Sequence, residues 1–229
     1  MPFPWGCPQR ASLQRIGESG EQLSEDRVRI GDINVANPIT QVDKILAIWN
    51  EHLEVAKGLP TLASTVSSAV DLIYSSLAAG GQLLTAGNGG SAADAQHIAA
   101  ELTGRFLLER QPLRAIALHG NTSALTAIGN DYGFEYIFAR ELSAHARPGD
   151  VLLAISTSGN SRNILCAIEA ARKCKVHVIG LTGGSGGQMQ ATCDLCLCVA
   201  SRSTARIQEM HITIGHAICE LLEAKLAKA

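Results

Sequence analysis

The chain has 229 residues, 46% of them hydrophobic and 17% charged, with a formal net charge of −2. That composition supports a substantial core in one domain with room for appendages, and it lacks the basic balance of a protein that binds nucleic-acid backbones. No apolar run reaches the roughly 18 residues of a membrane span, and the opening MPFPWGCPQR lacks a basic stretch followed by an apolar one, so the expected location is cytoplasmic, with no membrane partner.

Residues 1–36 carry early prolines and then a polar stretch, GESGEQLSEDRVR, with weak periodicity. They read as a mobile extension ahead of a single domain spanning 37–229. After Pro38, Val42, Ile45, Leu46, Trp49 and Leu53 recur at helical spacing until Gly58 and Pro60. A second helix, 61–79, lines up Leu62, Val66, Val70, Ile73 and Leu77 and ends at Gly80-Gly81. The two predict an antiparallel helical hairpin whose wide apolar face suits another subunit.

Strands and helices then alternate. Strands are expected at 82–86, 113–118, 151–155, 176–181 and 194–199, and helices at 91–103, 122–129, 133–146, 160–173, 186–191 and 203–227. The strands are continuous apolar runs (VLLAI, VHVIGL, LCLCV), as in a parallel sheet covered on both faces, so the fold class is α/β. Ligands of such sheets bind beyond the carboxyl ends of the strands, where the strand order switches. Seven cysteines form an odd set on a core-rich chain, which argues against a disulfide framework; Cys193 and Cys196 read as small apolar residues of a strand.

Three loops gather at the carboxyl edge. The first, GNGGS from Gly87 to Ser91, joins a strand to a helix whose first N–H groups are unpaired, a natural seat for an anion. Within that helix His97 and Glu101 are four residues apart and share a face, as an acid/base or metal pair requires. Gly87-x-Gly89-x-x-Ala92 also fits a loose dinucleotide fingerprint, but the next strand ends in His119-Gly120 rather than an acidic residue, which disfavours a nucleotide-binding oxidoreductase.

The second loop, Ser156-Thr157-Ser158-Gly159-Asn160-Ser161, supplies four hydroxyls where a helix cap needs one, an inventory suited to a phosphate monoester. The third, Gly129-Asn130-Asp131-Tyr132-Gly133, reads as a polar turn between helices, with or without a ligand role. The last helix, ARIQEMHITIGHAICELLEAKL, adds Gln208, His211 and His216. Gln208 and His211 lie within about 60° of each other and Gln208 and His216 within about 80°, so spacing leaves both histidines open. Gly215 hints at a close approach beside His216.

The motifs GNGGSAADAQHIAAELTGRF, GNDYGF, STSGNS and ARIQEMHITIGH, in this order, resemble the sugar isomerase (SIS) domain proteins and, within them, the phosphoheptose isomerase family, from about Pro38 onward. The resemblance implies a SIS domain with a flavodoxin-like five-stranded parallel sheet, a homotetramer with interface active sites, and conversion of the small-molecule sugar phosphate sedoheptulose 7-phosphate to its aldose for heptose-containing surface glycans. It places substrate contacts on Asn88, Gly89, Gly90, Ser91, Asn130, Asp131, Ser156, Thr157, Ser158, Ser161, Glu101 and Gln208. It implies zinc on His97, Glu101, Gln208 and His216, and Glu101 and His216 as the catalytic pair. Ala205 stands where some catalytic members carry an acidic residue. The TARIQEMH segment also resembles non-catalytic relatives that bind the bacterial replication initiator; those lack the glutamate and the final histidine present here, and a non-catalytic adaptor or sugar-phosphate sensor is the rival reading.

Overall fold

The five apolar runs pair into one all-parallel sheet in the order β2-β1-β3-β4-β5, in a computed structural model that describes residues 39–226. The expected mobile extension, residues 1–36, lies outside the described residues. The strands are β1 (Leu83–Ala86), β2 (Ala115–Ala117), β3 (Val151–Ile155), β4 (His177–Gly183) and β5 (Leu195–Val199). The chain leaves β1 for β2 on one side and returns to β3 on the other, so the order switches between β1 and β3. Their register sets Thr85 beside Leu153 and Ala86 beside Ala154, which brings the two following loops side by side.

Period-two side-chain alternation divides the strands between two cores. Leu83, Val151, Leu153, Ile155, Ile179 and Leu181 pack with α2 (Ala63–Ala78), α3 (Gly90–Thr103) and α7 (Thr204–Leu226). Leu84, Leu152, Ala154 and Val178 pack on the other face with α5 (Ile137–His145) and α6 (Arg162–Lys173). Each leucine, isoleucine or valine buried this way contributes about 1.5–3 kcal/mol.

The first helix, α1 (Gln41–Ala56), opens with a Thr40/Asp43 capping box. It has no buried residue and leaves Val42, Leu46, Trp49 and Leu53 exposed. Two bonds tie it to α7: His52 Nδ1 lies 2.7 Å from Glu209 Oε2, and Arg206 Nη1 donates to the Ile48 carbonyl at 3.0 Å. A largely apolar cavity of about 480 Å³ opens between Leu59, Val66, Ile214 and Leu221.

Some boundaries differ from expectation for local reasons. Pro60 falls in a single 3-10 turn, Leu59–Leu62, so α2 starts at Ala63. Residues 129–131 are not a turn: α4 (Thr122–Tyr132) runs through them and stops at Gly133, whose φ of +98° few other residues adopt. The edge strand β2 is only three residues long. All six cysteines among the described residues are free, and Cys196 and Cys198 share one face of β5 with Sγ atoms 3.7 Å apart.

Candidate active site

At the end of β1 the backbone turns at Gly89, with φ +56°, and α3 starts at Gly90. Ser91 is buried in its first turn, its N–H bonded to the Asn88 carbonyl at 3.0 Å. The Asn88 side chain faces the neighbouring loop. Its amide exchanges two bonds with the amide of Asn163, at 2.9 and 2.8 Å, and Asn163 is buried in the first turn of α6. This clasp joins the loops after β1 and β3.

The loop after β3 turns at Gly159, where φ is +64° and a Cβ would lie 2.0 Å from the Gly186 carbonyl oxygen. The turn folds the hydroxyls inward. Ser156 Oγ lies 2.8 Å from Ser161 Oγ and 3.4 Å from Ser158 Oγ, and Ser158 Oγ accepts the Asn160 N–H at 3.2 Å. Beside it lies a cavity of about 300 Å³ lined by Thr157, Ser158, Ser185, Ser201, Arg202 and Thr204 among others. Hydroxyls and one guanidinium, with no carboxylate in the lining, suit an anion.

On α3, Asp94, His97 and Glu101 follow at intervals of three and four and so share one face. Glu101 Oε1 lies 3.3 Å from His97 Nε2, which lies 2.9 Å from His216 Nε2 on α7. The two ring nitrogens stand within hydrogen-bond distance, where one must donate and the other accept for a bond to form. Phe106 stacks on His216, ring centroids 5.6 Å apart. The helices approach because Gly215 has no side chain: a Cβ there would lie 2.6 Å from Ile98 Cδ1. That is the close approach the glycine signalled.

The two histidines left open by spacing are told apart by burial. His211 is fully buried and donates Nε2–H to the Thr182 carbonyl at 3.0 Å; burial pushes its pKa down to about 4, so it is a neutral core group. His216 faces the site. Gln208, one turn before His211, donates its Nε2 to both oxygens of Asp94, at 2.9 and 3.1 Å. Burial pushes the Asp94 carboxyl upward, opposed by the Gln208 bonds and by His97 and His216.

Asn130 and Asp131 are exposed on the last turn of α4, where Asn130 Nδ2 donates to Asp131 Oδ1 at 2.8 Å. No hydrogen bond joins them to the other candidate residues within this chain. Further support escaped sequence reading. Glu223, buried on α7, accepts the N–H groups of Phe106, Leu107 and Leu108 at 2.7, 2.7 and 2.9 Å. Burial opposes its charge, but those bonds and Arg110 hold its pKa below the ordinary value. Arg110 in turn donates to the carbonyls of Glu101 and Leu102 at 2.8 Å. Asp94 had a signal, three residues before His97 on the same face; Asn163 and Glu223 had none.

Among the described residues no three His, Cys, Asp or Glu side chains already form a metal-binding group. The donor chemistry of the site nevertheless suits zinc: two imidazole nitrogens, a carboxylate oxygen and the Gln208 carbonyl oxygen make a two-nitrogen, two-oxygen set.

A five-stranded parallel sheet with an anion-suited loop pair at its switch point is the architecture of a SIS domain, and the family model described as SIS domain matches residues 50–183. The chain is 55% identical over 184 residues to a phosphoheptose isomerase of Rhodospirillum rubrum, covering 80% of this chain and 98% of the relative. It is 52% identical over 177 residues to that of Helicobacter hepaticus, covering 77% and 90%. Among solved structures, phosphoheptose isomerase GmhA from Neisseria gonorrhoeae matches with a TM-score of 0.77 and 44% identity, covering 81% of this chain and all of that one. The chain belongs to the phosphoheptose isomerase family of SIS-domain proteins.

Proposed function

We propose that the protein is an aldose–ketose isomerase that converts sedoheptulose 7-phosphate to D-glycero-D-manno-heptose 7-phosphate, supplying heptose for lipopolysaccharide or other surface glycans. The observation that carries this reading is the contact of Glu101, His97 and His216 across α3 and α7, α3 being the helix that the loop after β1 opens. Moving a carbonyl from C2 to C1 requires taking a proton from C1, passing through an enediolate and returning a proton to C2 while the oxygens exchange theirs. Glu101 takes and returns the carbon-bound proton. His216, whose Nε2 lies 2.9 Å from His97 Nε2, moves protons at the oxygens.

Asn88, Gly89, Gly90 and Ser91 orient the sugar with Gln208 and, where they reach it, Asn130 and Asp131. Ser156, Thr157, Ser158 and Ser161 hold the phosphate, which supplies binding energy far from the reacting carbons. His97, Glu101, Gln208 and His216 are the residues that would hold zinc, which would polarise the carbonyl as a Lewis acid. The exposed apolar residues of α1 support assembly with further copies as a homotetramer, consistent with active sites at interfaces. Among the described residues no helix is long and apolar enough to cross a membrane, in keeping with work on a dissolved substrate in the cytoplasm. The non-catalytic alternative is disfavoured because Glu101 and His216 are both present and joined through His97.

The test is an NMR time course of the purified protein with sedoheptulose 7-phosphate, with and without added zinc. Appearance of the aldose supports the isomerase. Binding of the sugar phosphate with no aldose under either condition overturns it in favour of a sensor or adaptor.

A further inference from the structure

Gln208 presents either of two ends to a ligand, and they have opposite chemistry: an amide nitrogen that donates, or a carbonyl oxygen that accepts. We infer that Asp94 is the positioning residue that decides between them. Both Asp94 carboxylate oxygens lie on Gln208 Nε2, at 2.9 and 3.1 Å. With both of its oxygens accepting from the one nitrogen, the carboxylate selects the NH₂ end of the amide over the carbonyl end. Gln208 Oε1 then has no hydrogen-bond partner among the described residues and is left for a ligand.

The packing confines the amide, and Asp94 then chooses its orientation. The Gln208 amide lies flat against Gly90, the first residue of α3, where a Cβ would stand 3.1 Å from Cδ, 3.2 Å from Oε1 and 3.4 Å from Nε2. Asp94 lies four residues further along that helix and is 5% exposed, too enclosed to reach a ligand itself. A buried carboxylate in mid-helix is costly unless it is bonded, and among the described residues its side-chain hydrogen bonds all go to this one amide. The group that Gln208 Oε1 accepts is accordingly a donor or a cation, such as a sugar hydroxyl or a metal, and never a carbonyl or phosphate oxygen. This inference rests on the proposed function only in taking Gln208 to face the substrate.

The experiment is a charge exchange between the two positions in the intact protein. Asp94→Asn keeps the volume but offers Gln208 a donor and an acceptor, so the amide settles both ways; kcat/KM should fall about tenfold with an unchanged melting temperature. Gln208→Glu sets two carboxylates together and should lose more. In the double variant the introduced amide donates its NH₂ to one oxygen of the introduced carboxylate, which leaves the other oxygen facing the ligand, and kcat/KM should recover to within a few-fold of wild type. A tenfold loss corresponds to about 1.4 kcal/mol, the scale of one oriented hydrogen bond. Wild-type kinetics in Asp94→Asn, or losses that simply multiply in the double variant, would overturn the inference.

A second readout needs no turnover. In protein labelled with ¹⁵N-glutamine, the Gln208 side-chain NH₂ signals, identified by their absence in Gln208→Glu, should exchange slowly with solvent in wild type and quickly in Asp94→Asn. Equal exchange overturns the positioning role. If the wild type leaves sedoheptulose 7-phosphate unchanged while the NH₂ signals respond as stated, the functional reading falls and the positioning role stands.

Discussion

Gly215 of α7 faces Ile98 of α3 with no space for a side chain: a Cβ would stand 2.6 Å from Ile98 Cδ1 and 2.9 Å from its Cγ1. Alanine is favoured over glycine within a helix by about 1 kcal/mol, so any loss in Gly215→Ala reports the collision. We expect a net destabilisation of about 1–3 kcal/mol. Because the neighbouring His216 is carried away from His97, kcat should fall more than KM rises. Thermal melts and steady-state kinetics check it, and Ile98→Ala in the same chain should recover part of both losses.

Replacing Glu101 by glutamine removes the proposed base while preserving shape. Turnover should fall by roughly 10²–10⁴-fold, and incorporation of solvent deuterium at C1 of the ketose should fall with it. Binding of the sugar phosphate should remain, since the phosphate loop is untouched. Isotope wash-in at the wild-type rate would remove Glu101 from the proton transfer.

The hydroxyls after β3 predict a different pattern. Ser156→Ala together with Ser158→Ala removes two groups proposed to hold the phosphate, and each lost bond to a charged oxygen is worth about 1.5–3 kcal/mol. KM should rise at least tenfold while kcat stays within a few-fold. Inorganic phosphate should weaken in parallel as a competitive inhibitor.

His211 gives the molecule a defined acid sensitivity. Its folded pKa of about 4 lies below the roughly 6.5 of an unfolded histidine. Below pH 6.5 the unfolded chain binds a proton that the folded one refuses, so stability is full above about 6.5 and falls progressively as pH drops towards 4. The loss amounts to at most about 3 kcal/mol. Denaturant titrations of metal-free protein between pH 7 and 4 should show this slope in wild type and a shallower one in His211→Gln, which keeps a donor for the Thr182 carbonyl.

Features set by local pattern were legible in the sequence. The strands announce themselves as largely apolar runs, VLLAI and LCLCV without interruption, and His97 and Glu101 declare a shared face by spacing alone. The hydroxyls of Ser156–Ser161 exceed what a helix cap uses. What escaped depends on partners far along the chain. Asp94 and Gln208 meet across 114 residues and Asn88 and Asn163 across 75, and no periodicity encodes such meetings. Spacing left His211 and His216 open, the family resemblance pointed to His216, and the physical reason emerged only when the sheet's Thr182 carbonyl claimed His211. Asn130 and Asp131 read as a turn because glycines flank them, yet helical geometry persists to Gly133, the residue whose backbone leaves the helix.

The paired amides of Asn88 and Asn163 make one mechanical unit of two loops that follow different strands. They fasten the loop after β1 to the loop after β3, whose strands already lie in register. Neither loop can open alone without breaking both bonds, so a strain applied to one is shared by the other.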